Sequence, residues 1–200
     1  NGNDGTINGA ALANDRHEST ENAFQFSGSY LEMPPLNLTE QISIIAWINP
    51  TSPETGSIVG RYNSTTASYE LLHSNSTGSG LYAHTGIDSP QNTLKSNKLL
   101  VLNEWQLVSF TYANGIGSLY LDGELVKADQ MNPPNSTDLS TLIGKSHHGG
   151  NQFNGRIDDV RIYDRALSST EVAELFEYES QPQPAADPRK ATAVAQVVNG

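Results

Sequence analysis

Cysteine is absent from the 200 residues, which excludes disulfide frameworks, thiolate metal sites and cysteine nucleophiles. A domain of this size folds without cross-links, so the absence does not assign a redox compartment. No apolar run approaches the roughly 18 residues of a membrane span. Cations are scarce, with 11 Lys and Arg against 22 Asp and Glu and a formal charge of −11. A nucleic-acid binder needs clustered cations to displace phosphate counterions, and attachment to anionic lipid needs a basic patch; neither is available here. Hydrophobic residues make up 36% and aromatic residues 8%. That is little for a helical globule, but enough for a sandwich with a thin core and long loops.

What the chain has in quantity is turn chemistry. Asn (18), Ser (21) and Thr (15) are abundant, and Gly (17) and Pro (10) add to them; all of these disfavour helix interiors and suit tight turns. Between such clusters run short segments of alternating polarity, the pattern of an all-β sandwich or barrel. Strands are expected over residues 23–27, 30–33, 42–49, 57–62, 69–73, 80–85, 105–113, 117–121, 124–128, 142–145 and 155–163. Asp122-Gly123 and Asn114-Gly115 each predict a tight hairpin, because these pairs readily take the positive φ of a type I′ turn. One short helix is expected, capped by Ser168 or Ser169, with Val172, Leu175 and Phe176 on one face. Its Glu171, Glu174 and Glu177 read as a solvated face.

Past Tyr178 the run Gln181-Pro-Gln-Pro-Ala-Ala-Asp-Pro188 has the composition of an extended linker. The expected domain is therefore residues 1–178, with 179–200 a linker or the start of a following segment. Opening on Asn1 with neither Met nor a signal-peptide pattern, the sequence reads as an excised or processed piece of a longer chain. Four Asn-x-Ser/Thr sequons begin at Asn37, Asn63, Asn75 and Asn135; in a chain this rich in those residues, composition alone accounts for them.

Three groups of segments, in order, carry a family resemblance. The first is Asn1-Gly-Asn-Asp-Gly-Thr-Ile-Asn-Gly-Ala10 with Ala23-Phe-Gln-Phe-Ser-Gly28 and Tyr30-Leu-Glu-Met-Pro34. The second is Ile42-Ser-Ile-Ile-Ala-Trp-Ile-Asn-Pro50 with Glu104-Trp-Gln-Leu-Val-Ser-Phe-Thr-Tyr112 and Leu119-Tyr-Leu-Asp-Gly123. The third and most specific is Phe153-Asn-Gly-Arg-Ile-Asp-Asp-Val-Arg-Ile-Tyr-Asp-Arg-Ala-Leu167, followed by Glu171-Val-Ala-Glu-Leu175. Together they resemble the laminin-G-like jelly roll of the concanavalin A-like lectin/glucanase superfamily. The resemblance implies an all-β jelly-roll sandwich of two curved antiparallel sheets, about six or seven strands each, with one concave face and one short C-terminal helix. Members usually carry an acidic segment just ahead of the Asn-Gly-Asn stretch, and this chain begins too late to display it.

The same resemblance implies a structural Ca2+, since related laminarinase-type glucanases hold one with an Asp just ahead of a similar strand. Carried over, the ligands are Asp158, with Asp159 as its neighbour, and oxygens near Asn3, Asp4 and Gly28. Hard cations take mixed carboxylate and carbonyl ligands. On a regular strand, however, the side chains of Asp158 and Asp159 point to opposite faces. The alternative is that these carboxylates pair with Arg156, Arg161 or Arg165, or cap the final turn. Asn1-x-Asn-x-Gly5 has the start of an EF-hand loop, but Leu12 stands where the bidentate Glu is required.

Glycans are held by aromatic rings stacked on pyranose faces and by planar polar groups reading hydroxyls. The candidates are Tyr62, His73, Tyr82, His84, His147, His148 and Gln152, beside Trp47, Tyr69 and Trp105, for which packing is the alternative. His73 and His84 lie on neighbouring strands and could share a face. His147-His148-Gly-Gly-Asn-Gln152 is a loop whose glycines permit close approach to a ligand. In the strand 42–49, alternation puts Ile42, Ile44, Ala46 and Ile48 in the core and leaves Trp47 outside it or under a covering loop.

Glucanases on this fold carry Glu-x-Asp-x-x-Glu on one strand, and no such spacing occurs here; zinc-protease and nucleophile-elbow motifs are missing too. The expected protein is thus a non-catalytic carbohydrate-binding module of a secreted or cell-surface, bacterial, multidomain chain. Its expected partners are polysaccharide and neighbouring domains, without nucleic acid or membrane insertion. The alternative is an adhesion or spacer module. The acidic balance makes strongly anionic glycans poorer ligands unless calcium bridges them.

Overall fold

The computed structural model describes residues 5–63, 65–86, 90–181 and 195–198. The chain runs β1 (Thr6–Asn8), β2 (Ala11–Ala13), β3 (Ala23–Ser27), β4 (Tyr30–Met33), β5 (Ile42–Pro50), β6 (Gly56–Tyr62), β7 (Ala67–Ser74) and β8 (Gly80–His84). After a single 3-10 turn at Pro90–Asn92 come β9 (Thr93–Lys95), β10 (Gln106–Ala113), β11 (Ile116–Leu121), β12 (Glu124–Gln130), β13 (Thr141–Ile143), β14 (Asn154–Tyr163), α1 (Ser169–Ser180) and β15 (Ala195–Val198). The strands form two sheets, a seven-stranded one in the order β1-β4-β13-β6-β7-β8-β9 and an eight-stranded one in the order β12-β11-β10-β5-β14-β3-β2 with β15 beside β14. Every pairing between neighbours along these two orders is antiparallel. This is the jelly-roll sandwich.

Alternation decides which side chains fill the space between the sheets. Ile42, Ile44, Ala46 and Ile48 of β5 meet Tyr69 and Leu71 of β7, Leu81 and Ala83 of β8, and Val108 and Phe110 of β10 in one apolar core. The two predicted hairpins close as expected. Ala113 pairs with Ile116 around Asn114-Gly115, and Leu121 pairs with Glu124 around Asp122-Gly123. All four turn residues have φ between 50° and 78°, as a two-residue type I′ connection requires.

The outer face of the eight-stranded sheet is not free. Ile45, Trp47, Leu107 and Tyr120 form a second apolar cluster with Leu167 and Val172, packed under Leu175 and Phe176 of α1. Ser168 caps this helix reciprocally with Glu171. Trp47 lies beneath α1, stacked on Phe176 at 5.8 Å, and its indole N–H donates to Glu179 at 2.7 Å. The helix continues to Ser180, and residues 195–198, in the stretch expected to be a linker or the start of a following segment, pair in parallel with Val160–Tyr163 of β14. α1 roofs one sheet; in the other, β6 and β7 are buried along their whole length, and Tyr82, Lys95 and His148 are among the groups that reach solvent on its outward side.

Candidate functional site

Strand registers lay out the outward face of the seven-stranded sheet. Glu32 pairs with Leu142, Leu142 with Gly60, Gly60 with Glu70, Glu70 with His84 and His84 with Thr93. These residues form one row across β4, β13, β6, β7, β8 and β9. A second row runs Lys95–Tyr82–Leu72–Ser57 and continues through the bridges of Ser57 to Gln152 and of Gln152 to Lys145. The segment 144–152 is thereby held against the sheet, with His148, Gly149 and Gly150 exposed at its tip.

Four of the sequence-predicted ligand residues meet here. The Tyr62 ring stacks on His84 at 5.2 Å with 24° between planes, and His148 meets Tyr62 edge-on at 5.9 Å. Tyr82 meets His84 edge-on at 5.4 Å, and the ammonium of Lys95 sits 5.6 Å from the centre of the Tyr82 ring. Tyr62 and His84 are buried, Tyr82 is half-buried and His148 is exposed. The inner pair therefore props the outer pair, a low-entropy arrangement for ring stacking. Glu70 is 1% exposed and lies against Gly60, where an added Cβ would stand 3.0 Å from its carboxylate. Sequence reasoning missed Glu70, Tyr30, Glu32 and Lys145; the one signal for the first three was alternation within β4 and β7, which says which residues share a face but not which face is open.

The remaining candidates lie elsewhere. His73 does not share a face with His84. His84 pairs with Glu70, three residues from His73, and an odd separation along a strand reverses the side. His73 points into the core, edge-on to Phe153 at 5.5 Å, and burial lowers its pKa to about 4. Tyr69 is fully buried with its hydroxyl donating to the Leu36 carbonyl, and Trp105 lies under the Arg156 guanidinium. His147 holds the Ser140 carbonyl at 2.8 Å through Nε2. Gln152 is absorbed into the bridges that anchor its loop.

The described members of the calcium set do not converge. Asp159 adopts φ of 48° at a bulge in β14, and the distortion turns both carboxylates to one side. The cation between them is the Arg16 guanidinium, 2.9 Å from each. Arg161 pairs with Asp159 at 3.5 Å and with Glu179, which also accepts from Trp47. Gly28 follows Ser27, which pairs with Asn154, so it is level with position 153 and lies about 17 Å along the strand from Asp158 at ~3.3 Å per residue. Gly5 packs on Met33 in the other sheet, and Asn3 and Asp4 lie outside the described residues. Among the described residues no three His, Asp or Glu side chains are grouped to hold a metal. The described members of the set thus do not fit one coordination sphere. Burial, followed by the neighbouring Asp159, raises the Asp158 pKa to about 7 against the opposing pull of Arg16.

The two-sheet topology with a helix roofing one face agrees with the sequence signature of a known family, which matches residues 26–173. The chain belongs to the concanavalin A-like lectin/glucanases superfamily. No curated protein matches it in sequence. Among solved structures, this superfamily member is similar to domain 4 of AbnA, a GH43 extracellular arabinanase from Geobacillus stearothermophilus in complex with arabinotriose. The two share 21% identity and a TM-score of 0.68, over 86% of this chain and 87% of that one. A heptameric SAP-like pentraxin from Limulus polyphemus matches with 18% identity and a TM-score of 0.61, over 76% and 80% of the respective chains. The botulinum neurotoxin serotype D ligand binding domain, in complex with N-acetylneuraminic acid, matches with 16% identity and a TM-score of 0.63. That match covers 88% of this chain but 46% of the toxin chain. No helix among the described residues is long and apolar enough to cross a membrane.

Proposed function

We propose that this protein is a non-catalytic glycan-binding module whose sugar site is the outward face of the seven-stranded sheet. The observation that carries the reading is the linked ring cluster Tyr82–His84–Tyr62–His148, on the sheet opposite the one that α1 covers, with Tyr82 and His148 reaching solvent. Tyr82 and His148 supply the accessible rings for the C–H face of a sugar, while the His148 imidazole and the Lys95 ammonium offer hydrogen bonds to hydroxyls. Two structural neighbours are described as complexes with arabinotriose and N-acetylneuraminic acid, which supports carbohydrate as the ligand class. The module would serve an extracellular chain, concentrating neighbouring domains on polysaccharide. The ion network around Arg16 fills the place the calcium expectation assigned to a cation, so the reading requires no metal.

The test is a glycan array on the wild-type protein, repeated with Tyr82→Ala and His84→Ala. Binding that either variant weakens about tenfold or more, with folding intact, supports the reading. Silence across neutral and acidic polysaccharides overturns it and favours an adhesion or spacer module. Incubation with the same polysaccharides should release no reducing or unsaturated ends.

A further inference from the structure

On the other side of the 144–152 loop from the ring cluster lies a depression of about 230 Å³, lined by Tyr30, Glu32, Leu142, Lys145, Ser146, His147 and Gly149. It is smaller than the roughly 300–1,000 Å³ clefts that take drug-sized ligands, and suits a single ring. Its walls are polar and fixed. The Lys145 ammonium stands 4.8 Å from the centre of the Tyr30 ring, Ser140 donates to the Glu32 carboxylate at 2.7 Å, and His147 is pinned to the Ser140 carbonyl. Because a carbonyl only accepts, His147 Nε2 donates to the Ser140 oxygen.

This depression and the ring cluster lie on the same side of one sheet. Glu32 and His84 stand in the same cross-sheet row, four strand spacings apart, or about 19 Å at ~4.8 Å per step. The loop between them offers His147 to one side and His148 to the other. At its crest Gly149 and Gly150, with φ of 74° and 86°, have no neighbouring atom within 4 Å of where a Cβ would sit, so nothing but backbone rises there.

We propose that the Tyr30–Lys145 depression is a second sugar subsite, so that the module takes an internal stretch of a neutral oligosaccharide draped over the Gly149-Gly150 crest. The inference rests on the ring cluster being the first subsite. Neutrality follows from charge. The depression holds one cation, Lys145, beside one carboxylate, Glu32, on a protein whose net charge of −11 repels polyanions.

Calorimetric titration of the full chain with disaccharides and longer oligomers of arabinose, xylose and glucose tests it. The long oligomer of the recognised series should bind about tenfold or more tighter than its disaccharide. Tyr30→Ala should erase that length-dependent gain while leaving disaccharide affinity unchanged, whereas Tyr82→Ala weakens both ligands. Lys145→Gln, which keeps the Tyr30 ring in place, should lose part of the gain and guards against a folding defect in Tyr30→Ala. A length gain untouched by both Tyr30→Ala and Lys145→Gln, or no length gain at all, overturns the second subsite and leaves the first intact. Absence of binding to every oligomer overturns both together.

Discussion

Two buried ionisable side chains push the pH dependence of stability in opposite directions. Burial holds His73 at a pKa of about 4 against an ordinary 6.5. The unfolded chain therefore takes up a proton in that window that the folded one refuses, and stability falls as pH drops through it, by up to about 3 kcal/mol. Asp158 is raised to about 7 from an ordinary 3.8. The folded state holds this proton more tightly, so its contribution is complete at low pH and is lost as pH rises toward 7. Denaturant midpoints measured from near pH 4 to pH 8 on single variants separate the two. His73→Gln should abolish the acid-side loss, and Asp158→Asn should abolish the decline toward neutrality. Equal pH profiles for wild type and variant would contradict the burial of the group concerned.

At the scale of elements, α1 is attached at both ends. Ser168→Ala removes the cap at its start and should cost about 1 kcal/mol in a urea titration. At its far end Arg16 contacts both Asp158 and Asp159 and donates to the Glu179 carbonyl. Arg16→Met leaves two close carboxylates without their shared partner and should cost about 3–5 kcal/mol, the usual effect of breaking a buried pair. Because a guanidinium holds the carboxylates, the wild-type melting temperature should be the same in chelator and in calcium. A large drop with chelator would show a metal acting elsewhere in the fold.

The long central elements were legible because their signals are local. Alternation marks β3, β4 and β5, Asp-Gly and Asn-Gly mark the hairpins, and Ser168 marks the helix start. The edge strands β1, β2 and β9 were not, since three residues each are too few for alternation to register. The candidate site was half legible. Ring-bearing residues stand out in a chain with 8% aromatic residues, but His73 and His84 could be separated only by the β7–β8 register. Likewise the role of Asp158 depended on Arg16, 142 positions away in the chain.

For the molecule as a whole, the net charge of −11 sets how ligand binding responds to salt. Affinity for a neutral oligosaccharide should stay constant as salt is raised, whereas any residual affinity for an anionic polysaccharide should grow as screening weakens repulsion. Titrations at low and high ionic strength check both. A neutral ligand whose binding weakened steeply with salt would point to a charged contact that the ring cluster does not provide.

The pairing of β3 with β14 stops at Phe24 and Ile157, leaving Val160–Tyr163 without that neighbour until β15 takes the place. A form shortened to end at Gln181 would bare those amides and carbonyls to solvent. Such a seam invites a strand from another molecule, so the shortened form should oligomerise as its concentration rises, visible as growing light scattering, while the 200-residue chain stays dispersed. The tail is in that sense a seal against self-recruitment.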